Sequence, residues 1–116
     1  MNKRKIGSVA ESMAVEYLKK KGVVILDRNF YSRSGEIDIV GIDGEYLVFF
    51  EVKYREGDSC GDPGEAVTPA KIKRIIKAAR FYMLKNGISE DSFIRFDVIA
   101  MTQETVNWIK NAFEAF

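Results

Sequence analysis

Apolar residues recur at helical spacing over Ile6, Val9, Ala10, Met13, Ala14, Tyr17 and Leu18, and Lys19 to Lys21 with Gly22 then supply C-terminal charge and a stop. The period predicts a first helix. "VVILDRNF" (23–30) switches to an apolar, β-branched run and predicts a strand, closed by the turn "SRSG" (32–35). "EIDIVGIDGEYLVFFEVKY" holds two more strand runs around Asp43-Gly44, a strong short hairpin signal. The polar, glycine-rich "REGDSCGDPGE" (55–65) reads as a mobile loop. "VTPAKIKRIIKAARFYMLKNG" predicts a second helix, with Thr68 as N-cap, Pro69 at the first helical position and a stop at Gly87. Its apolar stripe is Ile72, Ile75, Ile76, Ala79, Tyr82 and Met83. "SFIRFDVIAM" (92–101) and "TVNWI" (105–109) predict the last two strands. No repeat or low-complexity segment interrupts the series. The expectation is one domain over residues 1–116, of α/β class, in the order α-β-β-β-α-β-β.

Within "LVFFEVKYR" (47–55), Leu47, Phe49, Glu51 and Lys53 share one strand face and Val48, Phe50, Val52 and Tyr54 the other. Both faces are apolar at first, as in a central strand covered on both sides, and charged residues are rarely buried there unless paired or ligated. A two-residue turn at Asp43-Gly44 sets Ile42 opposite Glu45, Asp38 opposite Phe49 and Glu36 opposite Glu51. Glu36, Asp38, Glu51 and Lys53 then project from one face, and Asp38 and Glu51 become diagonal neighbours, roughly 5.5 to 8 Å apart between Cα atoms.

Two carboxylates so close repel unless a proton, a cation or Lys53 intervenes. Oxygen ligands suit Mg²⁺ or Mn²⁺ rather than zinc, and such an ion beside a lysine is equipped to activate water against a phosphodiester. On charge pattern alone, a structural ion pair of Lys53 with Glu51 or Glu36 explains the same residues at least as well. The chain has no histidine, which excludes many acid/base, zinc and nucleophile-activation schemes and leaves carboxylates, lysines and hydroxyls. A single cysteine, Cys60, forms no internal disulfide and favours a reducing compartment. The basic start "MNKRK" precedes a segment broken by Glu11 and Glu16, so neither a signal peptide nor a membrane anchor is expected, and the location expected is cytoplasmic.

The net charge of +1 hides an uneven distribution. Residues 70–86 carry Lys71, Lys73, Arg74, Lys77, Arg80 and Lys85 and no acid. Solvated faces commonly carry charge, but most mix signs, and an unmixed basic face beside an acidic site suits a nucleic acid. Arg33, Arg55 and the "KRK" at 3–5 extend that basic rim. Phe81 projects from it, to stack on a base, to pack on a second copy in a homodimer, or to contact the C-terminal "NAFEAF".

"GEID" (35–38) followed by "VFFEVKYR" (48–55) resembles the D…ExK core of the PD-(D/E)XK nuclease superfamily. More narrowly, "GSVAESMAVEYLKKKG", "RNF", "GEIDIV", "FFEVKYR", "EAVTPAKIKRIIKAA", "RFDVIA" and the closing "NAF" together resemble the YraN family of predicted endonucleases over nearly the whole chain. That resemblance implies a restriction-endonuclease-like mixed β-sheet flanked by helices. It implies Asp38 and Glu51 as metal ligands, completed by the Val52 carbonyl, and Lys53 as the group that positions or activates water. It also points to Glu11, at the position of a first-helix acid in archaeal Holliday-junction resolvases. Helical periodicity alone leaves Glu11 and Glu16 at opposite rims of the apolar stripe. The function so implied is a Mg²⁺- or Mn²⁺-dependent nuclease hydrolysing phosphodiester bonds in DNA, branched or single-stranded by analogy with the resolvases. A nuclease-fold module that binds nucleic acid without cutting it is the alternative, and a protein-interaction domain with a purely structural charged strand end is a third.

Overall fold

The computed structural model describes residues 3–55 and 67–114, with the side chains of residues 3–7 excepted. The loop predicted at 55–65, with Cys60, lies almost wholly outside the described residues, as do the side chains of the "KRK" at 3–5 and the last two residues of "NAFEAF". The elements follow the predicted order: α1 (Lys3–Lys20), β1 (Val24–Tyr31), β2 (Glu36–Asp43), β3 (Tyr46–Tyr54), α2 (Pro69–Lys85), β4 (Ile94–Met101) and β5 (Val106–Phe113). The five strands form one sheet in chain order. Neighbours are antiparallel except β3 and β4, which run parallel because α2 carries the chain back between them.

The double-faced apolar run of β3 finds its partners in two cores. Phe49, on one face, packs with Ile37, Val40, Ile75, Ala79, Tyr82, Phe96 and Val98 under α2. Val48 and Phe50, on the other, pack with Ala14, Val15, Leu18, Ile39 and Ile99 under α1. Thr68 caps α2 as expected, its Oγ1 accepting the Lys71 N–H at 3.2 Å, and Pro69 opens the helix.

Two sequence expectations shift, and one strand departs from strict alternation. The buried stripe of α1 is Ala10, Ala14, Val15 and Leu18, while Val9 and Met13 are 56% and 47% exposed. The small side chains at 10 and 14 let the helix axis lie close to the sheet, which turns Val15 inward and the larger Val9 and Met13 out. The hairpin register also differs. Asp43 pairs with Tyr46 and Ile39 with Phe50, so the turn residues are Gly44 and Glu45. Gly44 alone takes positive φ (+62°), the conformation a type II′ hairpin demands at its first central position, where a side chain is penalised. Asp43, expected in the turn, is a strand residue whose Oδ2 accepts from Arg95 Nη2 at 2.7 Å. The register moves by two in the partner sum, so face parity survives along the paired residues, and the ladder ends with Ile39 opposite Phe50, one residue short of Asp38 and Glu51. Finally, Ile37 and Val40 enter the same core, although strict alternation would part them. The alternation breaks at Asp38, beside Asn29 of β1 with φ +53°.

A buried carboxylate ties the far edge of the sheet. Asp97 is 0% exposed and accepts from Arg95 Nε and Nη2 (both 2.9 Å), Trp108 Nε1 (2.8 Å) and the Asn111 N–H (2.8 Å). These bonds anchor β5 across the irregularity between Phe96 and Val98, and they raise the Arg95 guanidinium further above its ordinary value. Asp97→Ala leaves buried donors and a cation without their acceptor, and is expected to cost about 3 to 5 kcal/mol. Urea unfolding measures it; a loss under about 1 kcal/mol would mean that β5 is held by other contacts.

Candidate metal and nucleic-acid site

The break in β2 sits where the chain brings its charges together. Asp38, at the end of the β2–β3 ladder away from the turn, is buried, and its Oδ2 accepts the Val52 N–H at 2.8 Å. Glu51, on the α2 face of β3, is buried too. Lys53, two residues on and on the same face, sets its Nζ 3.6 Å from Glu51 Oε1. From the opposite layer α1 contributes Glu11, whose carboxylate oxygen lies within 4.8 Å of those of Glu36 and Asp38. The inward rotation of α1 puts Glu11 on the buried side of the helix. Glu16 stays exposed and pairs with Lys19 at 3.9 Å, so the fold separates two acids that periodicity could not.

A shallow pocket opens over these groups, lined by Gly35, Glu36, Asp38, Glu51, Lys71, Arg74 and Ile75. Gly35 lets α2 come this near. A Cβ there would lie 3.1 Å from both the Cβ and the carbonyl oxygen of Arg74, tighter than ordinary contact. The first residue of the "GEID" motif is therefore a close-approach glycine, and the next three carry the strand into the site.

Electrostatically the cluster is short of positive charge. Burial, then the Glu51 carboxylate and more weakly Glu11 and Glu36, push Asp38 up to about 8 against the bond from Val52. Burial and Glu36 raise Glu11 as well, with Asn29 and Arg28 opposing. Lys53 falls below the ordinary lysine range, first through burial and then through the neighbouring Lys71 ammonium. Burial pulls Lys71 down, but the bond to Glu51, the neighbouring Lys53 and the Glu51 and Asp38 carboxylates together raise it. A compact set of oxygen donors, crowded together and partly buried, fits a hard divalent cation such as Mg²⁺ or Mn²⁺.

Of the residues expected at the site, Asp38, Glu51, Lys53 and Glu11 meet there. Val52 brings its N–H to Asp38 and its side chain to the core under α1. Arg74 reaches the pocket rim, while Lys73, Lys77 and Arg80 lie exposed along the outer face of α2. Arg33 is exposed in the β1–β2 turn, and Arg55, half-buried, follows β3 with its N–H on the Met101 carbonyl. Lys71 departs from the basic face. Its Nζ lies 2.6 Å from Glu51 Oε1, inside the site. The hint in the sequence was position: a lysine in the first turn of a helix opposes the macrodipole, so something else must hold it there. Glu36, an acid on the expected face with no role assigned, joins the cluster with Glu11 and Asp38. Phe81 is 48% exposed, with its ring 6.1 Å from that of Phe30 on β1. Phe113 of the C-terminal segment stacks instead on Phe96, 5.1 Å between centroids.

The model of a family described as "Uncharacterised protein family UPF0102" matches residues 10–101. A "UPF0102 protein" of Lachnoclostridium phytofermentans is 47% identical over 116 residues, covering 100% of this chain and 98% of that protein. One from Marinobacter nauticus is 42% identical over 97% of this chain and 94% of its own, and one from Vibrio campbellii 41% identical over 96% and 93%.

Proposed function

Because the chain belongs to the uncharacterised protein family UPF0102, for which YraN is another name, its function has to be read from the site itself, and we propose a Mg²⁺- or Mn²⁺-dependent nuclease that hydrolyses phosphodiester bonds in DNA. The observation that carries this reading is the convergence of Asp38, Glu51 and Lys53 at one strand end, with Glu11 supplied by α1. Asp38 and Glu51 would hold the ion, with Glu11 and Glu36 beside them and the Val52 carbonyl as the main-chain ligand implied by the family pattern. A divalent ion in such a place acts as a Lewis acid on a phosphoryl oxygen and lowers the pKa of bound water.

The remaining tasks fall to this chain's side chains. Lys53, on the same face of β3 as Glu51 and 3.6 Å from its Oε1, is the group suited to position or activate the attacking water. Arg74 at the rim and Lys73, Lys77 and Arg80 along the outer face of α2 offer phosphate contacts whatever the base sequence, and Arg33 adds a charge from the β1–β2 turn. Phosphate contacts of this kind are blind to base identity, which suits recognition of DNA structure, branched or single-stranded, rather than of sequence. No helix among the described residues is long and apolar enough to cross a membrane, and the substrate proposed belongs to the cytoplasm.

The test is incubation of the purified chain with linear, flapped and four-way-junction DNA in Mg²⁺, Mn²⁺ or chelator. Divalent-dependent strand cleavage is expected. Cleavage that survives chelation would remove the metal chemistry, and DNA binding without cleavage in either metal would leave a binding module on a nuclease fold.

A further inference from the structure

Two lysines compete for one oxygen of Glu51, and they come from different elements. Lys53 arrives along β3 at 3.6 Å, whereas Lys71 arrives from the first turn of α2 at 2.6 Å. The shorter contact belongs to the more exposed side chain, 36% against 23%, while the Glu51 side chain is only 6% exposed. Glu51 is thus a buried carboxylate neutralised chiefly by an ammonium at the pocket mouth. The oxygens of Glu11, Glu36 and Asp38 gather within 4.8 Å of one another, in a group that does not include Glu51.

We propose that Lys71 is a built-in counter-cation that holds Glu51 until a divalent ion takes that carboxylate, and that the released ammonium then binds a substrate phosphate. The inference rests on the reading of this site as a metal-dependent nuclease. A cation in the first turn of a helix sits against the positive end of the macrodipole, so it is kept there by Glu51 and gains when an anion arrives. Thr68 already takes the Lys71 N–H, and the first turn holds no acid to recapture the ammonium once Glu51 is engaged. Lys71 lines the same pocket as Arg74, which places the freed charge next to a second phosphate-binding cation. Metal and substrate would therefore favour one another through a single side chain, each by the same factor. Lys53, farther from Glu51 and less exposed, stays within the site throughout.

Calorimetric titration of the full chain with Mn²⁺ alone tests the first half. Lys71→Met should bind Mn²⁺ about tenfold more tightly than wild type, the scale of a half-buried ion pair that no longer competes. Lys71→Arg, which keeps the cation, should stay near wild type. If Lys71→Met fails to fold, Lys71→Gln serves in the same comparison. Salt dependence of binding to a short duplex tests the second half. In Ca²⁺ the wild type should lose affinity with rising NaCl more steeply than Lys71→Met, by about 0.9 in log–log slope, and without a divalent ion the two slopes should coincide. Mn²⁺ affinity that is equal or weaker in Lys71→Met, or slopes that differ by the same amount with and without Ca²⁺, would overturn this role and leave the nuclease reading standing. Absence of Mn²⁺ binding to every chain would overturn both.

Discussion

Glu51→Gln, or Asp38→Asn, is expected to lower metal-dependent cleavage by about 10³-fold or more, the scale of several kcal/mol of lost transition-state stabilisation, while the chain stays folded. Each change keeps the size of the side chain and removes its charge. In Asp38→Asn the new amide oxygen can still accept the Val52 N–H, and in Glu51→Gln the released Lys71 lies at the pocket mouth where water can solvate it. DNA binding should hold or tighten, because a negative charge leaves a surface that faces phosphate. The pH dependence gives a second check. In the metal-free protein, burial and neighbouring carboxylates push Asp38 up to about 8, against about 3.9 for an unfolded chain. A carboxyl raised on folding contributes its full stability below the unfolded value and loses it as pH climbs through the folded one. Asp38→Asn should therefore melt close to wild type near pH 4 and progressively above it towards pH 8, with the gap level beyond. Mn²⁺ affinity of the wild type should rise over the same range, since the ion displaces that proton. Melting curves from pH 4 to 9 decide it: an Asp38→Asn chain that is less stable throughout, or a Glu51→Gln chain that does not fold, would make these carboxylates structural.

Lys53→Met should cut cleavage by about 10² to 10⁴-fold, the range of a positioned acid–base group, with little change in DNA affinity. Methionine keeps the apolar stem and removes the amine. A chain in which Lys53 alone neutralised Glu51 would lose several kcal/mol with it. Here Glu51 keeps Lys71 at 2.6 Å, while the Lys53 contact is the longer one at 3.6 Å. The stability cost should accordingly stay below about 1 kcal/mol. Thermal melting with and without Mn²⁺, run beside single-turnover cleavage, separates the cases. Large destabilisation that Mn²⁺ does not restore, or a loss of activity traced wholly to weaker DNA binding, would remove the assignment of Lys53 to the chemical step.

Local signals were enough for the elements and much of the site, since each rests on residues close in the chain. Thr68-Pro69 and Gly87 bound α2, the two-faced apolar run from Leu47 to Val52 marks a central strand, and Glu51 and Lys53 share a face of it because strand period is two. Face parity across the hairpin needed only the parity of the turn and, over the paired residues Ile39 to Phe50, survived a change in which residues form it, whereas Asp38 itself sits where the alternation of β2 breaks. What the sequence left open depends on contacts between elements. The register was decided by Gly44, the residue able to adopt positive φ at little cost, and by Arg95, fifty-two residues away, which holds Asp43 in the strand. The choice of Glu11 over Glu16 was decided by the rotation of α1 onto the sheet, set by the small side chains of Ala10 and Ala14. Lys71 looks from its sequence like one of six similar cations on a basic helix, and only the close packing of α2 over Gly35 and the end of β3 sets its ammonium on Glu51. Such contacts cannot be read from period or propensity, because they depend on how far apart two layers lie and how each is turned, and those distances are fixed by side-chain volumes packed across the whole core.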